Sequence, residues 1–271
     1  MFDKFLHKNL GLAYRLNLEV LRLQEDSLAT VVFVHGIASS TEMWSEAEER
    51  IDGNFDLYAV DLLGHGNSPK PIWGGVQNLE NQAKSLKKTL SKIKKAGKPL
   101  FIVGHSMGAL VTAELANNWP DFADGIFLLS PPIYLPEEIK SGIQERILKS
   151  GYNRIYTEPD QSINFINSVI DRGIVAVNRF DSQEDFRPIR KSLRDAIIKQ
   201  DTFNKLLEIS TPTKIVYGIL DPVVIGANIR RLGRQNKMIS TKRVLASHDP
   251  TIVMMKEVSS GINKILKEKD E

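Results

Sequence analysis

A chain of 271 residues suits one large domain or a core with an insertion. It is 42% hydrophobic and 25% charged, which excludes wholesale disorder, and its net charge of +3 is too balanced to imply a nucleic-acid partner. With no cysteine, disulfides, thiolate metal sites, iron–sulfur clusters and a cysteine nucleophile are all excluded.

In chain order, the first eight residues interleave charge with apolar side chains and show no signal-peptide core. No apolar run approaches the eighteen or so residues of a membrane span, so a soluble, cytoplasmic protein is expected. Tyr14, Leu16, Leu18 and Val20 then alternate with Arg15, Asn17 and Glu19, the pattern of a half-exposed strand at an antiparallel edge. From residue 30 onward, short apolar runs recur at 30–34, 57–60, 100–103, 125–129, 214–217 and 243–245. Near-continuous apolarity over so few residues suits strands covered on both faces. Helical patterns follow at 44–51, 78–95 and 110–117. This alternation predicts an α/β fold with a mostly parallel sheet flanked by helices. It breaks between residues 133 and 210, where Ile139, Ile143 and Ile147, then Phe165, Ile166, Val169 and Ile170, then Leu193, Ile197 and Ile198 mark helices without a core strand. The expected organisation is a core of residues 1–132 and 211–271 with a helical insertion over 133–210. The lysines of 84–98 and the basic cluster Arg230, Arg231, Arg234, Lys237, Lys242 and Arg243 are expected to be solvated faces.

Gly104-His105-Ser106-Met107-Gly108 lies between an apolar run and a helical stretch. A strand turning sharply into a helix holds its turn residue clear of the backbone, and small residues two before and two after let neighbouring segments approach. The helix N-terminus then sets amide donors beside the hydroxyl, making Ser106 the candidate nucleophile. A serine needs a base, and there are five histidines. His7 lies far from the site in sequence, His35 and His65 sit in glycine-flanked loops, and His105 adjoins the nucleophile but should point elsewhere. His248, in the polar loop after the last strand, is the best base. Asp221, just after the run at 214–217, is the acid expected to orient it. Asp249 could not easily bend round to its neighbour's ring, and Ser130-Pro131-Pro132 supplies no acid.

Serine, aspartate and histidine in that order, each after a strand, resemble the α/β-hydrolase fold superfamily, over nearly the whole chain outside the insertion. The resemblance implies that His35-Gly36-Ile37 is an oxyanion loop, with the backbone N–H groups of Ile37 and Met107 holding a developing oxyanion. It implies that residues 61–68 shape the site, and that the insertion is a cap supplying much of the substrate pocket. A serine at the elbow argues against dehalogenases and epoxide hydrolases, which need an aspartate there. The elbow also departs from the tryptophan-containing form of proline iminopeptidases.

The expected reaction is cleavage of a carboxylic ester, or a related acyl bond, of a small, largely apolar substrate through an acyl-enzyme. Thioesterases, carbon–carbon bond hydrolases, perhydrolases and some acyltransferases share the triad, as do hydrolase-like small-molecule receptors. Tyr134, Tyr152, Tyr156, Phe165 and Phe180 are candidates to line the pocket, though most are expected to pack the cap. Arg154, Arg172, Arg179, Arg187, Arg190 and Arg194 are candidates to bind an acidic product. The triad needs no metal or organic cofactor, and none is implied. The expected partner is a small-molecule acyl substrate, and no signal sets an oligomeric state.

Overall fold

The computed structural model describes residues 4–71, 73, 75–171 and 180–270. Strands β1 (Leu18–Arg22), β2 (Ala29–Val34), β3 (Phe55–Val60), β4 (Leu100–His105), β5 (Gly125–Leu129), β6 (Thr213–Gly218) and β7 (Ile239–Val244) form one seven-stranded sheet. Its order is β1-β3-β2-β4-β5-β6-β7, and every neighbouring pair is parallel except β1 with β3. Between and after the strands run α1 (Ala47–Arg50), α2 (Leu79–Leu90), α3 (Met107–Asn118), α4 (Ile143–Thr157), α5 (Pro159–Asp171), α6 (Gln183–Ser192), α7 (Thr202–Glu208), α8 (Gly226–Gln235) and α9 (Ile252–Asp270). This is the α/β-hydrolase fold.

Strand β2 shows why its sequence does not alternate. Val32 and Val34 enter one core with α2, α3, α7 and α8, while Val31 and Phe33 enter a second core with Trp44, α1 and α9. Both faces are dry, so both parities are apolar. The Asn78 side chain caps α2 by accepting from the Asn81 amide at 2.8 Å, and Leu79, Ala83, Leu86 and Leu90 form its buried stripe. Helix α3 is buried from Met107 to Ala116. It packs against β4 and β5 in the middle of the sheet and carries no polar stripe.

The antiparallel edge strand begins later than its alternation suggests, at Leu18 rather than Tyr14. Tyr14 and Leu16 are buried, and their amides donate to Ser85 Oγ and Thr89 Oγ1 of α2, at 3.2 and 2.9 Å, instead of to a strand. The helical pattern at 44–51 resolves into a 3₁₀ turn (Thr41–Trp44) followed by α1. Likewise, only Arg243 and Val244 of the run at 243–245 belong to β7, whose ends Ile239 and Val244 are buried while residues 240–243 are exposed at the sheet's edge.

Residues between β5 and β6 hold α4, α5 and α6, the last running into a π-helical turn (Leu193–Ile198). The isoleucines spaced by four do not mark the buried face of α4: Ile143 and Ile147 are 69% and 66% exposed. That helix instead buries Glu145, whose carboxylate accepts from the Leu135 amide and from Asn228 Nδ2, both at 3.0 Å, and pairs with Lys149 at 3.0 Å. A buried charge so fully partnered escapes the penalty of isolation and ties α4 to α8. Helix α7 packs Phe203 and Leu206 into the first core and pairs Lys205 with Glu114 of α3.

Candidate active site

The turn from β4 into α3 bends at Ser106, whose backbone sits at φ 51° and ψ −119°. A non-glycine residue there carries on the order of 1–3 kcal/mol of strain, held in place by its surroundings. The flanking glycines show what over-determines it. A Cβ on Gly104 would fall 2.6 Å from Thr112 Oγ1 and 2.7 Å from Ala109 Cα. One on Gly108 would run into the carbonyl oxygens of Val34 and His35. Strand and helix therefore meet at backbone contact on both sides of the serine. The Ser106 amide donates to Leu129 O of β5 at 2.9 Å, anchoring the turn to the next strand.

Asp221 follows β6, and His248 follows β7. His248 Nε2 stands 3.0 Å from Ser106 Oγ, and His248 Nδ1 stands 2.8 Å from Asp221 Oδ2. The other carboxylate oxygen of Asp221 accepts the amides of Val223 at 2.9 Å and Val224 at 3.3 Å. Burial opposes ionisation of Asp221, but the His248 hydrogen bond and charge with the Val223 amide outweigh it and hold the carboxyl below its ordinary range. Nδ1 thus donates to a carboxylate, leaving Nε2 with its lone pair toward the serine hydroxyl. The sheet brings together all three residues singled out in the sequence.

A sequence profile of the serine aminopeptidase S33 family matches residues 25–245. The chain belongs to that family. A probable lysophospholipase of Arabidopsis thaliana, BODYGUARD 2, is 36% identical over 122 residues, covering 42% of this chain and 24% of the relative. The chain therefore matches about a quarter of that plant protein's length. A pimeloyl-[acyl-carrier protein] methyl ester esterase of Aeromonas salmonicida is 26% identical over 240 residues, covering 82% of this chain and 89% of the relative. Among solved structures, a hydrolase from Oleispira antarctica has a similar fold, with TM-score 0.70 and 16% identity over 94% of this chain and 95% of that one. No helix among the described residues is long and apolar enough to cross a membrane.

Above Ser106 this S33-family protein has a cavity of about 460 Å³. One side is core loop: Ile37, Met43, Ser106, Pro222, Val223 and His248. The other side comes from the insertion: Tyr152 and Ile155 of α4, Ile166 of α5, Phe180, Phe186 and Ile189 around α6, and Leu193 and Ile197 of the π-turn. Of the candidate aromatics, Tyr152 and Phe180 line the cavity. Tyr134 is buried beside Tyr152, Tyr156 lies under the guanidinium groups of Arg190 and Arg194, and the Phe165 side chain lies outside the described residues. Phe186 is a lining residue the sequence reading missed; only its place on the apolar stripe of α6 could have signalled it. Among the described residues, the exposed Asp249 is the one acid, lysine or arginine lining this cavity, alongside the imidazoles of His105 and His248. Arg154 pairs with Glu158 and Arg194 with Asp195, and neither they nor Arg187 and Arg190 line it. Arg172 and Arg179 lie outside the described residues.

Ile37 lines the cavity and Met107 opens α3. A Cβ on Gly36 would lie 3.2 Å from Ser106 Cβ, so the His35-Gly36-Ile37 backbone rests against the serine. The remaining histidines have other work. His7 stacks on Tyr14 with ring centroids 3.5 Å apart. His35, fully buried, takes the Leu62 amide on Nε2 at 3.0 Å and donates from Nδ1 to Gly36 O at 2.6 Å, bracing that loop. His65 Nδ1 donates to Leu63 O at 3.0 Å. His105 Nε2 lies 2.9 Å from the His248 carbonyl oxygen. Asp61, fully buried, accepts from the Thr41 amide at 2.7 Å and the Asn67 amide at 2.9 Å, joining the loop of residues 61–68 to the segment after Ile37.

Proposed function

We propose that the protein is a serine esterase acting on small, largely apolar carboxylic esters. The carrying observation is the unbroken relay from Asp221 through His248 to Ser106 at 2.8 and 3.0 Å, at the floor of an apolar cavity. His248 Nε2 takes the hydroxyl proton as Ser106 Oγ bonds to the ester carbonyl carbon, and Asp221 stabilises the imidazolium. The oxyanion sits on the amides of Ile37 and Met107, each worth about 3 kcal/mol of barrier. Collapse breaks the bond to the alkoxide, which leaves as the alcohol with the proton from His248. Water then gives a proton to His248 as its oxygen bonds to the acyl carbon, and Ser106 departs with that proton.

In this reading residues 133–210 act as a cap, supplying the wall that holds the acyl chain. An apolar wall favours an uncharged acyl group, and the names of the plant and Aeromonas relatives point to the same bond class. The arginines described in the cap stand away from the cavity, which favours an ester over a carbon–carbon bond substrate whose acidic product needs a cation. A nitrophenyl ester series from acetate to decanoate tests this. Turnover should peak at a medium chain and vanish in Ser106→Ala; no turnover of any ester by folded wild type would sink the reading.

A further inference from the structure

The elbow holds a histidine directly before its serine, and hydrolysis by the triad gives it no task. We infer that His105 is a positioning residue, whose Nε2–H tethers the backbone of the base by donating to the His248 carbonyl. This rests on the triad reading and adds to it.

The geometry begins with the loop. His248 lies in the connection from β7 to α9, where Leu245 is exposed but Ala246 is buried and the Ala246 and Ser247 carbonyls press on Gly218, so the chain is packed up to the residue before the base. Asp221 grips only the ring of His248, through Nδ1. A ring held only by its nitrogens, here to Asp221 and Ser106, can still shift if its own backbone moves. The Leu220 amide holds Ala246 O at 3.1 Å, fixing the loop two residues earlier. At the base itself the fixed point is His105, 2.9 Å from the His248 carbonyl, with the two rings 5.0 Å apart between centroids. A carbonyl only accepts, so the proton is on His105 Nε2.

His105 is rigid in turn. It is buried at the end of β4, and a Cβ on Gly36 would meet its Nδ1 at 3.1 Å, so the oxyanion loop closes over the ring's other edge. One imidazole thus sits between the loop beside the nucleophile and the loop carrying the base. Its charge suits the place. Burial, and then the neighbouring His248, push its pKa down to about 3, so it stays neutral across the working range. A lysine or arginine could make the same bond, but its charge would oppose the imidazolium that His248 must become. A neutral donor on a stiff ring avoids that conflict.

The test compares His105→Leu, which removes the donor, with His105→Gln, whose amide N–H reaches about as far as Nε2. Misplacing a catalytic group by about 1 Å lowers rate up to a hundredfold. Leucine should therefore lower kcat on a nitrophenyl ester at least tenfold (about), with KM little changed. It should also broaden away the low-field proton resonance of His248 Nδ1–H. Glutamine should keep the resonance and recover most of kcat. If the leucine variant does not fold, His105→Asn, whose amide falls short, takes its place. Unchanged kcat in the donor-free variant would overturn the inference, as would glutamine and leucine variants of equal stability losing activity equally. Ser106→Ala run alongside keeps the two readings apart, since turnover surviving in that variant would overturn the triad itself.

Discussion

The strand-end loops around Ser106 and the helices α4, α5 and α6 with the π-turn face the same cavity but are held by different forces. The loops are fixed by backbone contact and buried hydrogen bonds: Gly104 and Gly108 leave no room for a methyl group, and Asp221 has both oxygens engaged. The helices are held by side-chain packing and a few polar clamps such as Glu145 with Asn228. Chemistry that needs sub-ångström placement sits on the first kind of scaffold, and contacts that only need shape sit on the second. Substitutions in the loops should therefore change rate or folding outright, while those in the helices should change which substrate is accepted.

The largest effect should follow His248→Ala, which leaves the fold intact and lowers kcat by roughly 10⁴–10⁶, measured on the best nitrophenyl ester. Gly108→Ala comes next, because the new methyl group meets the carbonyls of Val34 and His35. It should lose about 3 kcal/mol in urea unfolding and most of its activity together. A variant that kept both would break the contrast between the two regions. On the helical side, Leu193→Trp should fold normally and cut the octanoate-to-butyrate ratio of kcat/KM about tenfold. Equal loss on both esters would mean that residue supports the catalytic edge rather than the acyl wall.

Smaller effects sharpen the picture. His65 and His105 are both pushed down to about 3, chiefly by burial. The unfolded chain takes up these protons near pH 6.5 and the folded chain does not, so stability should fall as pH drops from about 6.5 toward 3. Urea midpoints from pH 7 to pH 4 measure this, and His105→Gln should flatten the slope. Asp249→Asn should raise turnover of an anionic ester relative to its neutral isostere by about two- to fivefold, an effect that salt weakens.

The convergence of Ser106, Asp221 and His248 was legible in the sequence because its markers are local. Glycines two residues either side of Ser106 mark positions with no room for a Cβ, and an acid and a histidine each follow shortly after a strand. Its neighbours were less legible. The alternation from Tyr14 to Val20 mixes a strand with a segment whose amides bond to Ser85 and Thr89, a partnership some seventy residues distant. In the insertion, the spacing of Ile143 and Ile147 is helical but faces solvent, while a carboxylate takes the buried position. No local rule predicts a buried Glu145, because the Asn228 that satisfies it lies on another helix. The bond from His105 to the His248 carbonyl has the same character, since it joins residues 143 apart.

The most direct measurement is covalent labelling of the folded protein with a fluorophosphonate, read by mass spectrometry of the modified peptide. One adduct on Ser106, absent in Ser106→Ala and strongly slowed in His248→Ala, is the expected result. No adduct on folded wild type, or an adduct that persists in Ser106→Ala, would contradict an activated serine at this elbow.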